Sequence, residues 1–561
     1  MTMARYALIA STAAAALLAG CATPREATIA PLADNRCTAL QGTRIDASAI
    51  GLPSGAATID SAAMVAASAL AVAERGATPS SMITPALPAH CKVLGRIAPV
   101  DPSAPAIHFQ VNLPAQWNGR SVQYGGGGFN GVLIPGTALL PAARYDQPVP
   151  LARGYVTYGT DSGHQNQPGQ PPQTFALNDE ALANFAHASY KKVRDVAVAV
   201  MKQAYGSAPR KLYFVGSSEG GREGLVMAQR YPQDFDGILS RVPVLNWTGL
   251  QHAGLRDGLA LTGEGWLSPA HVKLVHDAVL ASCDGADGLT DSVVSNPVGC
   301  RERFQVELLR CSPTTGSTCL NDAQIRAIKT LHSPLDLPAD IAHGVRQYPG
   351  RGPSGENTRS FGPTGGWQSW WTGTQAPAFP PVQANGIAWF YGAGAIQYFY
   401  ARNPQADLRS YRMQDHLPRV REVSALMDAT NPDLSAFQAR GGKLIVLENM
   451  ADYAQSPYAG IAYFQSVQQR MGADNVRRFA RLYTAPGVDH VGTGAPGNAE
   501  LFPALVDWVE QGREPTGVAL VEQEGQPPFA VTRARPLCEW PLWPRYRGGD
   551  PNAVASFECT R

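Results

Sequence analysis

The sequence has few charged residues and no excess of either sign. Only 16% of its 561 residues are charged, and 46 Lys and Arg balance 45 Asp and Glu. A chain without a basic excess or an acidic tail is not expected to bind nucleic acid. It also shows no internal repeat. Glycine and proline are plentiful instead, which indicates a loop-rich globular protein long enough for more than one core.

Long apolar runs are missing from the chain except near its start. Arg5 precedes an apolar, Ala-rich stretch over residues 6–17, and Leu-Ala-Gly-Cys follows at residues 18–21. The stretch is too short for an ordinary membrane span. This pattern resembles a bacterial lipobox, so residues 1–20 are predicted to be a signal peptide, with Cys21 lipidated and residues 21–36 forming a tether. The alternative is a plain secretory signal cut near Ala22. Both predict export to the periplasm, the outer membrane or the medium, with membrane contact only through the anchor.

Export changes the interpretation of the nine cysteines. Without Cys21 eight remain, an even number in an oxidising compartment. Order and local spacing suggest four disulfides, although sequence alone leaves other pairings and free thiols open. The suggested pairs are Cys37–Cys91, Cys283–Cys300, Cys311–Cys319 and Cys538–Cys559.

Strand and helix patterns alternate in two separate parts of the chain. Strand-like stretches at residues 107–111, 121–124, 155–158 and 211–215 are followed by helical periodicity, and the same pattern resumes at residues 444–447 and 479–483. Such alternation predicts an α/β fold with a mostly parallel sheet flanked by helices. Residues 37–245 and 432–561 are the two predicted core parts. Residues 246–431, rich in Trp, Gly, Pro, Asp and Cys, are predicted to be an inserted lid domain.

A strand ending in G-x-S-x-G at residues 216–220 has the layout of a nucleophile elbow. The glycines allow a tight strand-to-helix turn, which would project the Ser218 hydroxyl into a cleft. Ser217 is a rival by residue type, but the spacing favours Ser218. An ordinary Gly/Ser turn is the non-catalytic alternative.

A serine nucleophile needs a base and an orienting carboxylate, each after a later strand. His490 follows the strand at residues 479–483, and Asp452 follows the strand at residues 444–447. Glu448 competes with Asp452 for the acid role, and Asp489 is a weaker rival because it adjoins the histidine. Each residue alone could equally be a loop histidine or a helix cap.

The tetrahedral intermediate also needs N–H donors for its oxyanion. Four glycines at residues 125–128 follow a strand and would let backbone amides approach a substrate closely, although a flexible glycine turn would look the same. The backbone amide of Glu219, at the start of the helix after Ser218, is the other predicted donor.

Several stretches together resemble the tannase and feruloyl esterase family. They are WNG at 117–119, GGGGFNG at 125–131, YFVGSSEGGREGL at 213–225, AQRYPQDFDGI at 228–238, CDGADGLTD at 283–291, GWQSWW at 366–371, GGKLIV at 441–446, PGVDH at 486–490 and RPLC at 535–538. The resemblance implies an α/β-hydrolase fold and hydrolysis of aromatic-acid esters through an acyl-enzyme. It assigns the triad to Ser218, Asp452 and His490, and the oxyanion amides to Gly128 and Glu219.

The resemblance also implies contacts in the lid. Trp370 matches an aromatic residue that covers the substrate ring, and Phe390 is a further candidate, whereas Trp371 and Trp389 are better explained as core residues. A structural Ca²⁺ site is implied, with three carboxylates and two backbone carbonyls as ligands. These are Asp284, Asp287 and Asp291, and Leu289 and Val293. An Asp- and Gly-rich loop closed by a disulfide suits a hard cation, although a metal-free turn is possible.

The chain departs from the family in three respects. Relatives bridge a Cys before the nucleophile to a Cys after the histidine, and here those positions are Ser217 and Val491. Residues 380–390 lack the Arg that would hold a terephthalate carboxylate, although Arg402 could substitute for it. In addition, Glu448 stands where relatives have His. Because these features give less support to an anionic substrate, hydrolysis of mono(2-hydroxyethyl) terephthalate is the alternative to hydrolysis of other aromatic-acid esters. A non-catalytic lipoprotein that binds aromatic ligands is the alternative outside the enzymes.

Overall fold

The computed structural model describes residues 31–76, 78–313, 318–358 and 365–561. The predicted signal peptide and Cys21 lie outside these ranges. No helix in the described residues is long and apolar enough to cross a membrane.

The strands are named in chain order. They are β1 (Arg44–Ile45), β2 (Ala57–Val65), β3 (Ala71–Val72), β4 (Ile83–Thr84), β5 (His90–Ile97), β6 (Ile107–Pro114), β7 (Arg120–Tyr124), β8 (Val156–Thr160), β9 (Lys211–Ser217), β10 (Gly237–Arg241), β11 (Leu335–Asp336), β12 (Gln347–Tyr348), β13 (Lys443–Asn449), β14 (Ala480–Ala485), β15 (Ala519–Gln523), β16 (Val531–Pro536), β17 (Cys538–Glu539), β18 (Trp543–Tyr546) and β19 (Phe557–Thr560).

The α-helices are α1 (Asp34–Thr38), α2 (Pro79–Met82), α3 (Asp179–Ala183), α4 (Ser189–Tyr205), α5 (Glu219–Arg230), α6 (Trp247–Ala260), α7 (Pro269–Cys283), α8 (Pro297–Arg303), α9 (Asp322–His332), α10 (Ile387–Ala395), α11 (Leu417–Met427), α12 (Ser435–Ala439), α13 (Pro457–Met471), α14 (Ala473–Arg477) and α15 (Leu501–Gln511). Short π-helical turns occupy Asn184–Ala188, Gln368–Thr372 and Ile396–Tyr400. Short 3₁₀ turns occupy Ala47–Ala49, Pro150–Arg153, Thr174–Leu177, Gly263–Gly265, Asp284–Asp287, Val306–Leu309, Ala342–Gly344, Gln383–Asn385, Met413–His416 and Val554–Ser556.

One 11-stranded sheet runs through the molecule in the order β1-β2-β5-β6-β8-β7-β9-β10-β13-β14-β17. The strands from β8 to β14 pair in parallel, whereas both flanks pair antiparallel. The sheet is therefore more mixed than the mostly parallel sheet predicted from sequence. The difference comes from β2 and β5, which pair antiparallel and whose small and polar residues carry a weak strand signal.

The parallel strands form the scaffold of the candidate site. Their residues are almost entirely buried, as expected for strands covered on both faces by helices. Helices α4 and α5 pack on the sheet, and α15 packs on β10 and β13. Loops after the carboxyl ends of parallel strands meet at one sheet edge, where α/β folds bind ligands.

Between β10 and β13 the chain forms a mainly helical insertion, which we call the lid. Its two apolar clusters centre on Trp247, Trp389 and Phe399, and on Trp367 and Trp371. Helices α6 and α10 pack closely, because Gly254 and Gly392 leave no side chain between them.

The N-terminal boundary differs from the predicted tether over residues 21–36. Leu32 is buried with Cys37 in one apolar cluster, and its amide donates to the Ala115 carbonyl at 2.9 Å. Burial of that side chain brings the chain into the fold before residue 37. The disulfides are Cys37–Cys91, Cys283–Cys300, Cys311–Cys319 and Cys538–Cys559, the pairs that the order of cysteines suggests.

Candidate active site

Ser218 lies on a tight turn between β9 and α5. Its backbone has φ 62° and ψ −120°, a conformation that few side-chain-bearing residues adopt, and its amide donates to the Arg241 carbonyl at 3.0 Å. A Cβ on Gly216 would lie 2.2 Å from the Gly220 carbonyl oxygen. The turn therefore requires glycine there, and it directs the Ser218 hydroxyl away from the sheet.

The structure brings Ser218, His490 and Asp452 into one chain of hydrogen bonds. The Ser218 hydroxyl lies 3.0 Å from His490 Nε2, and His490 Nδ1 lies 2.7 Å from Asp452 Oδ2. The other Asp452 oxygen accepts the amides of Ala454 and Gln455 at 2.7 and 3.0 Å. The carboxylate is thus fixed on its loop and can hold the imidazole with Nε2 facing the serine.

The rival acids have other partners. Glu448 Oε2 accepts a hydrogen bond from Gln455 Nε2 at 2.9 Å, and Oε1 has no hydrogen-bond partner. Burial and the nearby Asp452 raise the pKa of Glu448 well above its ordinary value, which disfavours the charged form that would orient an imidazolium. Asp489 accepts hydrogen bonds within its own loop, including the Val491 amide at 3.1 Å. It shapes the loop that carries His490 and does not orient the ring.

Two backbone amides near Ser218 have no hydrogen-bond acceptor among the described residues. They belong to Gly128, whose φ is 58°, and to Glu219, the first residue of α5. Both residues line the same pocket as Ser218. Free N–H groups at a nucleophile can bind a developing oxyanion.

Asn130 and Glu223 hold the glycine loop in place. Asn130 Oδ1 accepts the Gly127 amide at 2.5 Å, and Glu223 Oε2 accepts the Gly126 amide at 2.9 Å. Asn130 Nδ2 donates to Glu223 Oε1 at 2.8 Å, and the Tyr190 hydroxyl donates to the same oxygen. Sequence reasoning missed this network. Asn130 and Glu223 occur within the family stretches, but no spacing rule links residues so far apart.

Burial and the nearby Glu219 raise the pKa of Glu223 to about 7. Glu219 itself forms a fully buried ion pair with Arg222. The Arg222 guanidinium also donates to the Met427 carbonyl at 2.9 Å, at the end of lid helix α11. The elbow helix and the lid are thereby joined beside the nucleophile.

A pocket of about 410 Å³ lies between the lid and Ser218. Its walls are lined by Gly127, Gly128, Phe129, Ser218, Glu219, Val244, Trp247, Leu250, Gln251, Trp370, Gln383, Ile387, Tyr391, Ala454 and His490. We call it the lid pocket. The Trp370 ring centre lies 6.0 Å from the His490 ring and 6.0 Å from Tyr391. Aromatic walls around a serine hydroxyl suit the ring of an aromatic ester.

Phe390, the other predicted ring contact, does not line the lid pocket. It faces a separate depression beside Phe379 and Arg409. Successive helical residues point about 100° apart, so Ile387 and Tyr391 face the lid pocket while Phe390 faces away. Tyr391 occupies the position expected for Phe390.

Trp371 and Trp389 are buried and hydrogen-bonded within the lid. Trp371 Nε1 donates to the Tyr453 carbonyl at 2.7 Å, and Trp389 Nε1 donates to the Ala378 carbonyl at 3.2 Å. Both are packing residues. Arg402, considered from sequence for binding a carboxylate, instead pairs with Asp179 at 2.5 Å.

A second pocket, of about 440 Å³, shares only Ser218 and His490 with the lid pocket. It contains Thr78, Ser80, Ser81, Ile83, residues 138–143, Tyr145, Ser217, Ser218, Arg241, residues 490–493 and Asn498. Ser217, directly before the nucleophile, lies in the wall of this pocket. Its hydroxyl accepts a hydrogen bond from Arg241 Nη1 at 3.0 Å.

The Asp-rich loop lies against the C-terminal part of the core. Asp284 accepts the Asp291 and Ser292 amides, and Asp291 pairs with Arg535 at 2.5 Å. The predicted carbonyl ligands Leu289 and Val293 donate their amides to Asp287 and Asp291 respectively. Burial raises the pKa of Asp287, and its acidic neighbours add to this.

These carboxylates have a donor chemistry that suits Ca²⁺, and their proximity would favour a cation. In the described part of the chain, however, no three His, Cys, Asp or Glu side chains are grouped as a metal site. Arg535 supplies the positive charge beside Asp291 instead. The calcium site stays a prediction.

Comparison with known proteins gives consistent matches. The family model for tannase and feruloyl esterase matches residues 91–560. An uncharacterised esterase of Agrobacterium fabrum is 36% identical over 537 residues, covering 93% of this chain and 92% of the relative. Mono(2-hydroxyethyl) terephthalate hydrolase of Piscinibacter sakaiensis is 31% identical, covering 86% of this chain and 87% of the relative. A probable feruloyl esterase of Arthroderma benhamiae is also 31% identical, covering 80% and 81%.

Solved structures show the same fold. Feruloyl esterase B from Aspergillus oryzae aligns with a TM-score of 0.74 at 24% identity, covering 94% of this chain and all of that one. This likeness confirms the predicted α/β-hydrolase architecture. With the family match across most of the sequence, it leads to one conclusion: the chain belongs to the tannase and feruloyl esterase family and is a carboxylic ester hydrolase.

Proposed function

We propose that this protein hydrolyses carboxylic esters of aromatic acids through an acyl-enzyme on Ser218. The hydrogen-bonded chain from Ser218 through His490 to Asp452, at the base of a pocket walled by aromatic side chains, carries this proposal. The chemistry follows from the positions of the three side chains.

His490 Nε2 accepts the proton of the Ser218 hydroxyl as its oxygen attacks the ester carbonyl. The ester's carbonyl oxygen becomes an oxyanion, which the Gly128 and Glu219 amides stabilise. His490 then donates the proton to the departing alcohol. Water, deprotonated by His490, attacks the acyl-enzyme and releases the acid. Asp452 keeps the Nδ1 proton in place throughout and stabilises the imidazolium.

The aromatic acyl group is proposed to occupy the lid pocket. Trp370, Tyr391 and Trp247 offer ring faces and edges around that space, and such contacts favour a planar ring over a flexible chain. The Piscinibacter relative's name makes a terephthalate monoester the alternative substrate. Lys and Arg are absent from residues 380–390, and Arg402 is paired elsewhere, so the lid offers little to a terephthalate carboxylate. Comparing kcat/KM for methyl ferulate, methyl gallate and the terephthalate monoester tests the ranking, and a strong preference for the last would reverse it.

Ser218→Ala tests the nucleophile. We expect turnover of aryl esters to fall by about 10⁴-fold or more, because no other hydroxyl takes over the attack. Melting temperature should stay close to that of the parent, and labelling by a fluorophosphonate should disappear. Substantial residual activity would reassign the nucleophile. If the unmutated protein failed to label, a non-catalytic binding protein would be the better description.

Two further features are proposed on sequence grounds. We propose that the protein is exported and lipid-anchored at Cys21, which the lipobox and the four disulfides support. We also propose a structural Ca²⁺ on the Asp-rich loop, held by Asp284, Asp287 and Asp291. The ion would neutralise clustered carboxylates and has no role in the ester chemistry.

A further inference from the structure

The second pocket contains a buried arginine with unused hydrogen-bond donors. Arg241, at the end of β10, is only 5% exposed. Its Nη1 donates to the Ser217 hydroxyl, whereas Nε and Nη2 have no hydrogen-bond partner. Burial lowers its pKa, as expected for a cation removed from water. Leaving buried guanidinium donors unpaired costs free energy unless a ligand binds them.

The carboxylates nearest to Arg241 are engaged elsewhere. Asp452 binds His490 and two amides of its own loop, and Asp489 binds the amides of residues 491–493. Arg241 forms no ion pair with any residue in the described ranges. The negative charges of these two carboxylates offset part of the free-energy cost of burying the Arg241 guanidinium. They do not provide an acceptor for its Nε and Nη2 donors.

The position of Arg241 is set by its neighbours on the sheet. It pairs with Ser217 across the parallel strands β9 and β10, directly before the nucleophile. On the other side its Nη2 approaches Gly492, where a Cβ would lie 3.1 Å away. Glycine at 492 therefore lets the guanidinium lie against the loop that carries His490.

An ester bound at Ser218 has one half on each side of the scissile bond. The lid pocket holds the two free amides and the aromatic walls, which suit the acyl half. The second pocket adjoins the same Ser218 and His490 and is free to take the alcohol half. Its wall at Ile83, Leu139 and Leu140 suits a short carbon chain, and Arg241 is its charged group.

We infer that Arg241 binds a carboxylate on the alcohol half of the substrate, so the preferred esters join an aromatic acid to a hydroxy acid. This inference rests on the proposed function. A guanidinium with two free donors binds a carboxylate through charge-assisted hydrogen bonds. The lack of Lys and Arg at residues 380–390 is consistent with an anionic group being recognised on the other side of the nucleophile.

Matched substrates test the inference without changing the acyl group. Ferulate is esterified to glycolate, 3-hydroxypropanoate or 4-hydroxybutanoate. Each ester is compared with one of the same size in which the scissile ester is kept and the terminal carboxylate is replaced by a neutral carboxamide. We expect kcat/KM to favour the carboxylate over the amide by about tenfold to one-hundredfold for at least one chain length. In Arg241→Gln that ratio should fall to about one, and in Arg241→Lys it should be intermediate. Ratios near one for all three pairs in the parent protein would overturn the inference.

Controls separate this inference from folding and from the proposed function. Arg144→Gln removes a cation beside the same pocket, but one that is already paired with Asp146 at 2.6 Å, and it should keep the parent's ratio. An equal loss in Arg144→Gln would show general charge attraction and refute a specific contact. Fluorophosphonate labelling and melting temperature verify that each Arg241 variant is folded. Failure to hydrolyse any ferulate ester would refute the proposed function, whereas hydrolysis without charge preference would refute only the role of Arg241.

Discussion

At the scale of single residues, the surroundings of each carboxyl decide its chemistry. Asp452 and Glu448 are four positions apart, and both are buried near His490. Asp452 accepts hydrogen bonds from two backbone amides and contacts the His490 imidazole. Glu448 accepts one hydrogen bond, from the Gln455 side-chain amide, and burial raises its pKa well above the ordinary value. The two acids therefore differ in their hydrogen-bond partners, and only Asp452 contacts the imidazole.

Glu448→Gln should change how stability depends on pH. In the unfolded chain a glutamate ionises near its ordinary pKa of 4.5, whereas burial raises the pKa of Glu448 well above that value in the fold. Above about pH 4.5 the folded protein therefore binds the extra proton, and its stability falls by about 1.4 kcal/mol per pH unit until the folded pKa is reached. Gln cannot ionise, so the variant does not lose this stability. The melting temperature of the variant minus that of the parent should therefore be larger at pH 8 than at pH 5.

A control for this prediction is Glu524→Gln, since that side chain is exposed. The melting temperature of this control variant should differ from that of the parent by the same amount at pH 5 and at pH 8. If Glu448→Gln also showed the same difference at both pH values, the fold would not raise the pKa of Glu448, and the prediction would be wrong.

At the scale of elements, the elbow and the glycine loop fit each other by backbone contact. The Gly220 amide donates to the Gly126 carbonyl at 3.2 Å, so the start of α5 lies directly on the loop that carries Gly128. Glu223, about one turn further along α5, and Asn130 hold the same loop through the Gly126 and Gly127 amides. The two candidate oxyanion amides are therefore positioned by one rigid unit made from two distant segments.

Gly220→Ala should damage this unit. A Cβ there would lie 2.7 Å from the Gly126 carbonyl oxygen, so the loop must shift. Loss of one oxyanion donor typically lowers kcat by about 10²–10³-fold. We expect a fall of that size in kcat with a smaller change in KM, measured on methyl ferulate.

The matched control is Gly525→Ala, because the nearest atoms to a Cβ there are 3.5 Å away, an ordinary contact. Its kinetics should resemble those of the parent. Parent-like kcat in Gly220→Ala would mean that the loop adapts, and that Gly128 does not need its observed position.

At the scale of the whole molecule, the lid is joined to both parts of the core. Arg222 reaches from the elbow helix to the end of α11, and Arg535 reaches from β16 to Asp291 on the Asp-rich loop. The Cys283–Cys300 bridge closes that loop. The lid therefore contacts the core near the nucleophile and again near the C-terminus.

Removing Ca²⁺ should lower the stability of this arrangement. If the ion binds only the folded protein, chelation lowers the melting temperature, because native-state ligand binding is lost. Asp284→Asn should bind less metal and show a smaller response to the chelator. An unchanged melting curve after chelation, with metal analysis finding no calcium before it, would remove the site and leave Arg535 as the counter-charge of Asp291.

The sequence by itself determined the local elements and the order of the candidate triad. The elbow glycines, the strands before Asp452 and His490, and the cysteine order each have a short-range pattern with a physical reason. Strand β9 begins at the predicted residue 211 and ends two residues beyond the predicted residue 215. Strands β2 and β5 of the antiparallel flank were missed because their small and polar residues lack such a pattern.

Only the tertiary structure decided which groups meet. The choice of Asp452 over Glu448, of Tyr391 over Phe390, and the contact of Asn130 with Glu223 depend on how separate elements pack. Arg241 is the clearest case, because nothing near it in the chain distinguishes it from other arginines. Strand pairing places it beside Ser217, and burial leaves two of its donors unpaired. Hydrogen bonding and desolvation act through space, so their outcome cannot be derived from spacing along the chain.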